Sequence, residues 1–206
     1  MPDGILKHPR AELRAAARAM NSMRHAKSLD EFEAEWRTFL ACLEKAWTKL
    51  ERSCQSVRNR FEPWQGEYHR LRKKDMLLRY LKNARDADNH SIQEVTKIEP
   101  ASRNIRFASP HGGQIKHLEI HGDKIEAYEG DPLIMEDLPP RLIAVPVKNH
   151  GEWFNPPTSH LGKPVSSGHP VALAELGLQF YGELVDEAEQ RFFKTEPRTP
   201  IKTPPT

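Results

Sequence analysis

Residues 28–54, SLDEFEAEWRTFLACLEKAWTKLERSC, carry the clearest fold signal in the chain. The opening Ser28-Leu29-Asp30-Glu31 has the form of a capping box, in which a serine and a glutamate three residues later satisfy free backbone N–H groups at a helix N-terminus. Apolar residues then recur at steps of three and four, which places them on one face of a helix. They are Phe32, Trp36, Phe39, Leu40, Leu43, Trp47 and Leu50. The stripe predicts a long amphipathic helix that packs against a core.

Three further stretches have the spacing of amphipathic helices. The first covers roughly residues 9–26, the next about 66–90, and the last begins near His169-Pro170 and ends near Phe193. Between the last two, short β-like runs separated by turns such as Gly112-Gly113 predict a small sheet. We therefore expect a mainly α protein, a four-helix bundle with a small β-rich insertion between the third and fourth helices.

The expected domain boundaries follow these elements. Helices one to three occupy residues 1–93, the β-rich insertion with an irregular loop occupies 94–167, and the fourth helix occupies 168–194. Residues 195–206 contain four prolines and few apolar residues. This composition predicts a disordered tail.

Composition excludes several classes of protein. No apolar run approaches the roughly 20 residues of a membrane-spanning helix, and the N-terminus has no apolar signal-peptide core. Cys42 and Cys54 match no metal or redox spacing, so we expect reduced thiols. These features predict a cytoplasmic protein without membrane contact.

A polar motif, Arg85-Asp86-Ala87-Asp88-Asn89-His90, closes the third predicted helix. It consists of an arginine, a polar residue directly after it, and a histidine after four intervening residues. The motif and the helix count resemble the HEPN family of small helical ribonucleases and nucleotide-binding proteins. Arg85 matches the family arginine, Asp86 the polar position and His90 the family histidine.

The resemblance implies a function and an assembly. It indicates a metal-independent endoribonuclease of the toxin or defence kind, which would need neither a metal nor a cofactor. Family members generally build a composite cleft from two protomers, so a homodimer is expected. RNA would be the substrate, and an antitoxin or another regulatory protein is a candidate partner.

The residue types in the motif suit RNA cleavage. Metal-free cleavage needs a group that takes the 2′-hydroxyl proton, a group that protonates the leaving 5′-oxygen, and positive charge on the phosphate. His90 suits the proton transfers near neutral pH, and Arg85 suits the phosphate. Asp86 shares a helix face with His90 and could fix its tautomer. Asn89 shares a face with Arg85 and could hold it or donate to the phosphate.

Charge is unevenly distributed along the chain. Residues 1–93 carry 19 Lys/Arg against 13 Asp/Glu, whereas residues 94–206 carry 12 against 16. Basic residues crowd close to the motif, and a basic patch attracts phosphate and releases counterions on binding nucleic acid. The predicted nucleic-acid-binding residues are Arg70, Arg72, Lys73, Lys74, Arg79 and Lys82.

Other interpretations of the same residues stay open. The motif can be a polar helix end with a histidine near the C-terminal dipole, and the basic residues can be a solvated helix face. The protein would then be a catalytically silent interaction module that binds a protein partner or a nucleotide. A DNA-binding adaptor would use the same basic face and be indifferent to His90.

Overall fold

The computed structural model describes residues 4–90, 95–122 and 124–194, with only the backbone given for 88–90. Five α-helices lie within these ranges: α1 (Lys7–His25), α2 (Leu29–Ser53), α3 (Arg58–Lys74), α4 (Met76–His90) and α5 (Pro170–Phe192). A single 3₁₀ turn, Gln55–Val57, joins α2 to α3. None of the helices in these ranges combines the length and the apolar character that a bilayer-spanning helix requires.

Ten short strands lie between α4 and α5 in the described part of the chain. They are β1 (Thr96–Glu99), β2 (Ser102–Phe107), β3 (Ile115–His121), β4 (Lys124–Gly130), β5 (Leu133–Leu138), β6 (Arg141–Ala144), β7 (Val147–Asn149), β8 (Glu152–Phe154), β9 (Ser159–His160) and β10 (Lys163–Pro164). They pair only in twos: β2 with β5, β3 with β4, β7 with β8, β9 with β10, and β1 with β6.

The expected four-helix bundle is therefore wrong, because the described chain has five helices and several small antiparallel sheets after the fourth. The single helix expected over 66–90 is two helices, α3 and α4, separated at Asp75. Asp75 has an extended backbone, with φ −67° and ψ 132°. An apolar pattern that continues across one residue does not reveal such a break.

Asp75 owes its conformation to three hydrogen bonds. Its carboxylate accepts one from the Leu78 N–H at 3.0 Å, which caps the N-terminus of α4. It accepts a second from the Leu161 N–H at 2.7 Å and lies 2.9 Å from His160 Nδ1. Burial alone would raise the pKa of this carboxyl, but the hydrogen bonds from Leu161, Leu78 and His160, together with the charge of His160, outweigh it and hold the pKa below its usual value.

The chain divides into two compact units, and the first contains all five described helices. This helical unit comprises residues up to 97 and from 143 onward. Its core is centred on α2, where all seven apolar residues of the stripe are buried. Gly177 allows α5 to approach closely, since a Cβ there would lie 2.6 Å from Leu81 Cδ1 and 3.4 Å from Leu43 Cδ1.

The second unit, residues 98–142, is built from paired strands. Strands β2 and β5 form one antiparallel pair, with Ile105 opposite Met135. Strands β3 and β4 form a hairpin whose turn contains Gly122 at φ 61°. Ile105 is 42% exposed and Met135 57%, which is typical of two-stranded pairs too thin to enclose a core.

The expected disordered tail, residues 195–206, lies outside the described residues. The same holds for the side chains of Asn89 and His90 in the predicted catalytic motif.

Candidate functional site

Four of the six predicted nucleic-acid-binding residues converge on one cavity in the helical unit. The cavity has a volume of about 200 Å³ and lies between α3, α4 and β8. Its lining residues define what we call the basic pocket: His69, Arg72, Lys73, Arg79, Lys82, Asn83 and Phe154. Arg70 and Lys74 are exposed on α3 and do not line it.

Helix periodicity explains this convergence. On α3, positions 69, 72 and 73 have the i, i+3, i+4 spacing that puts side chains on one face. On α4, positions 79, 82 and 83 repeat the same spacing. The break at Asp75 turns the chain between the two helices, so the two faces line one cavity.

The cations of the basic pocket differ in their pairing. Arg72 is 5% exposed, forms an ion pair with Glu44, and its guanidinium carbon lies 4.3 Å from the centre of the Trp47 ring. Lys82 lies 3.2 Å from Asp86. Lys73 and Arg79 are exposed, and among the described residues neither has a carboxylate within ion-pair distance. Their charges are therefore available to an anion.

Phe154 and Asn83 also line the basic pocket. Phe154 is 8% exposed and lies beneath Arg79, whose guanidinium carbon is 5.5 Å from the ring centre. Asn83 is buried, donates to the Arg79 carbonyl at 2.8 Å, and accepts from Asn149 Nδ2 at 2.9 Å. Sequence reasoning missed both residues. Phe154 comes from a hairpin far along the chain, and no local signal connects it with α4.

The predicted catalytic arginine lies next to the basic pocket. Arg85 donates to Asp86 at 2.9 Å, and the other oxygen of Asp86 accepts from Lys82 at 3.2 Å. Burial would raise the pKa of the Asp86 carboxyl, but the hydrogen bonds from Arg85 and Lys82 hold the pKa below its usual value. Arg85 Nε is buried without a hydrogen-bond partner among the described residues. The charge of Arg85 is thus partly neutralised by its neighbour.

The backbone of α4 also bears on the predicted Arg85–His90 pair. Because α4 continues through His90, the two positions lie about 140° apart around the helix axis. A single protomer does not bring them onto one face of α4. The side chains of Asn89 and His90 are not among those described, so their distances to Arg85 and Asp86 stay untested.

A larger cavity in the same unit has the wrong charge for phosphate. It has a volume of about 460 Å³ and includes Glu51 and Glu62 in its lining. Glu51 accepts from Gln65 Nε2 at 3.0 Å and lies 3.5 Å from His69 Nε2. Arg58, the one arginine that lines it, is paired with Glu62 at 2.5 Å.

Comparison of the chain with protein-family models, with curated proteins and with solved structures gave no match. Conclusions about function therefore depend on the residues themselves.

Proposed function

We propose that the protein binds RNA and that the RNA backbone occupies the basic pocket. One observation carries this proposal: Lys73 and Arg79 converge on a cavity in which neither is paired with a carboxylate of the described chain. Exposed lysine and arginine side chains that face one concave site attract phosphate and release counterions when it binds. The guanidinium of Arg79 also offers a planar fork that matches two phosphate oxygens.

The size of the basic pocket favours a phosphate group over a whole small molecule. Its volume is about 200 Å³, whereas pockets for small molecules and cofactors usually have about 300–1,000 Å³. When an RNA strand binds, only one of its phosphate groups would enter the basic pocket, and the rest of the strand would lie outside it. This favours RNA over the free nucleotide that an interaction module would bind.

A salt titration tests the proposal. The binding of a fluorescein-labelled single-stranded RNA is measured by anisotropy across a series of NaCl concentrations. If two phosphates are bound, the logarithm of the affinity should fall against the logarithm of salt with a slope of about −1.4. Absence of binding at low salt would contradict the proposal, as would an affinity that salt does not change.

A ribonuclease of the HEPN kind is the second candidate function. The link from Lys82 through Asp86 to Arg85 favours it, because a phosphate held in the basic pocket would lie close to the predicted catalytic arginine. Since positions 85 and 90 diverge around α4, this candidate also requires a homodimer in which the partner completes the site.

We also propose that the protein is cytoplasmic. Its two cysteines, Cys42 and Cys54, are free and buried, which is typical of proteins in a reducing compartment.

Cleavage of a mixed RNA pool in excess chelator separates the two functions. A ribonuclease should cut the pool and leave 2′,3′-cyclic phosphate ends, and both Arg85→Ala and His90→Ala should abolish cutting while RNA binding persists. The variants are compared at matched folding and oligomeric state. Binding without cleavage by the wild-type protein would leave RNA binding as the function and remove the ribonuclease candidate.

A further inference from the structure

One tryptophan in the helical unit is exposed. Trp153 on β8 is 59% exposed, whereas Trp36, Trp47 and Trp64 are 0%, 3% and 6% exposed. Tryptophan side chains are highly buried on average, because exposing their large apolar ring to water is unfavourable. Because Trp153 does not pack in the core, core packing does not explain why a tryptophan stands at this position.

The hairpin that carries Trp153 is firmly held. Strands β7 and β8 are joined by His150 and Gly151 at φ 49° and 84°, the left-handed region that tight two-residue hairpin turns use. The inner face of the hairpin, Val147, Asn149 and Phe154, is buried. Asn149 donates to Asn83 of α4 in a buried hydrogen bond of 2.9 Å. The outer face is therefore displayed on a rigid support.

A cation accompanies the exposed ring. Lys148 lies opposite Trp153 in the strand pairing, and its Nζ is 5.9 Å from the centre of the indole. An aromatic ring with an adjacent cation is the arrangement on which single-stranded nucleic acids stack their bases while the phosphates meet the positive charge. Duplex bases are already stacked on one another, so an exposed ring selects single strands.

The outer face of the hairpin is next to the basic pocket, because neighbouring residues of β8 contribute to each. Successive residues of a strand point to opposite faces, and Phe154, which follows Trp153, lines the basic pocket. A strand of RNA with a phosphate in the basic pocket could therefore continue around the edge of the hairpin to Trp153.

We infer that Trp153 is a base-stacking platform, and that the RNA bound by this protein is single-stranded, with one unpaired base on the indole and its backbone beside Lys148. The inference rests on the proposed RNA binding at the basic pocket. It adds the class of RNA and a second contact point, neither of which the basic pocket defines.

Tryptophan fluorescence tests the inference directly. Single-stranded oligoadenylate should quench the emission of the wild-type protein in a saturable manner. Trp153→Phe should lose the quenching, because its three remaining tryptophans are buried, yet it should bind almost as tightly because phenylalanine also stacks. Trp153→Ala should bind about 5- to 150-fold more weakly by anisotropy. All three proteins should have the same circular dichroism spectrum and thermal midpoint, since the ring is exposed.

The possible failures are distinguishable. If the wild-type protein binds oligoadenylate without quenching, and Trp153→Ala binds equally well, the stacking inference is overturned and RNA binding at the basic pocket stands. The same conclusion holds if a fully paired duplex RNA binds as tightly as the single strand. If no RNA binds at low salt, the proposed function itself fails and takes the inference with it.

Discussion

Replacing both Lys73 and Arg79 by alanine should weaken RNA binding by about 10- to 100-fold at low salt, since each removes one charge-assisted phosphate contact. Both side chains are exposed and lack carboxylate partners in the described chain, so their removal should cost only the contact of Arg79 with Phe154, about 0.5–1 kcal/mol of stability. Anisotropy with a labelled single-stranded RNA measures the affinity, and circular dichroism checks the fold.

A matched control separates local geometry from total charge. Arg14 and Arg18 are exposed on α1 and do not line the basic pocket. The Arg14→Ala/Arg18→Ala variant loses the same two positive charges, and we expect its affinity to stay close to that of the wild-type protein. If the control weakens binding as much as the Lys73/Arg79 variant, RNA responds to net charge and the basic pocket has no special role.

Replacing Arg72 by methionine should destabilise the protein by about 2–4 kcal/mol, because it breaks a largely buried ion pair and leaves one charge without its partner. Arg72 is 5% exposed and Glu44 23%, so the carboxylate would keep only part of its hydration. The guanidinium also covers the ring of Trp47 at 4.3 Å. Methionine retains most of the apolar stem, so the loss measures chiefly the charge. Urea unfolding followed by circular dichroism gives the free energy of unfolding.

Two further variants define the cause of that loss. Arg70→Met removes an exposed arginine from the same helix and should change the free energy of unfolding by less than about 0.5 kcal/mol. Adding Glu44→Gln to Arg72→Met should recover part of the stability, because the unpaired carboxylate is then gone. An Arg72→Met protein as stable as the wild type would mean that the pair with Glu44 and the contact with Trp47 contribute nothing.

Periodicity predicted the helices best where their apolar faces meet the core. The α2 stripe is buried along its whole length, and the last predicted helix coincides with α5. The break between α3 and α4 was missed because two of the three hydrogen bonds that hold Asp75 come from residues distant in the sequence. Asp75 is held by His160 and Leu161, which lie 85 and 86 residues further along the chain.

For the basic pocket as well, the sequence reveals local spacing but not the tertiary contacts. The crowding of basic residues near Arg79 is visible in the sequence, and helix spacing accounts for the four that share a cavity. Pattern reasoning could not foresee that Arg72 would be sequestered by Glu44 and Trp47, two residues of α2, since both contacts are tertiary. It likewise could not place Phe154 beneath Arg79, a contact across 75 positions of the chain.

The most direct measurement of RNA binding at the basic pocket is an NMR titration of the ¹⁵N-labelled protein with a single-stranded RNA. It follows the backbone amides and the arginine Nε–H groups. The largest shifts should fall on residues 69–74 and 79–83, on Phe154 and on the Arg79 Nε–H, with small shifts on α1. Shifts centred on another surface, such as the strands of residues 98–142, or no shifts at low salt, would contradict RNA binding at the basic pocket.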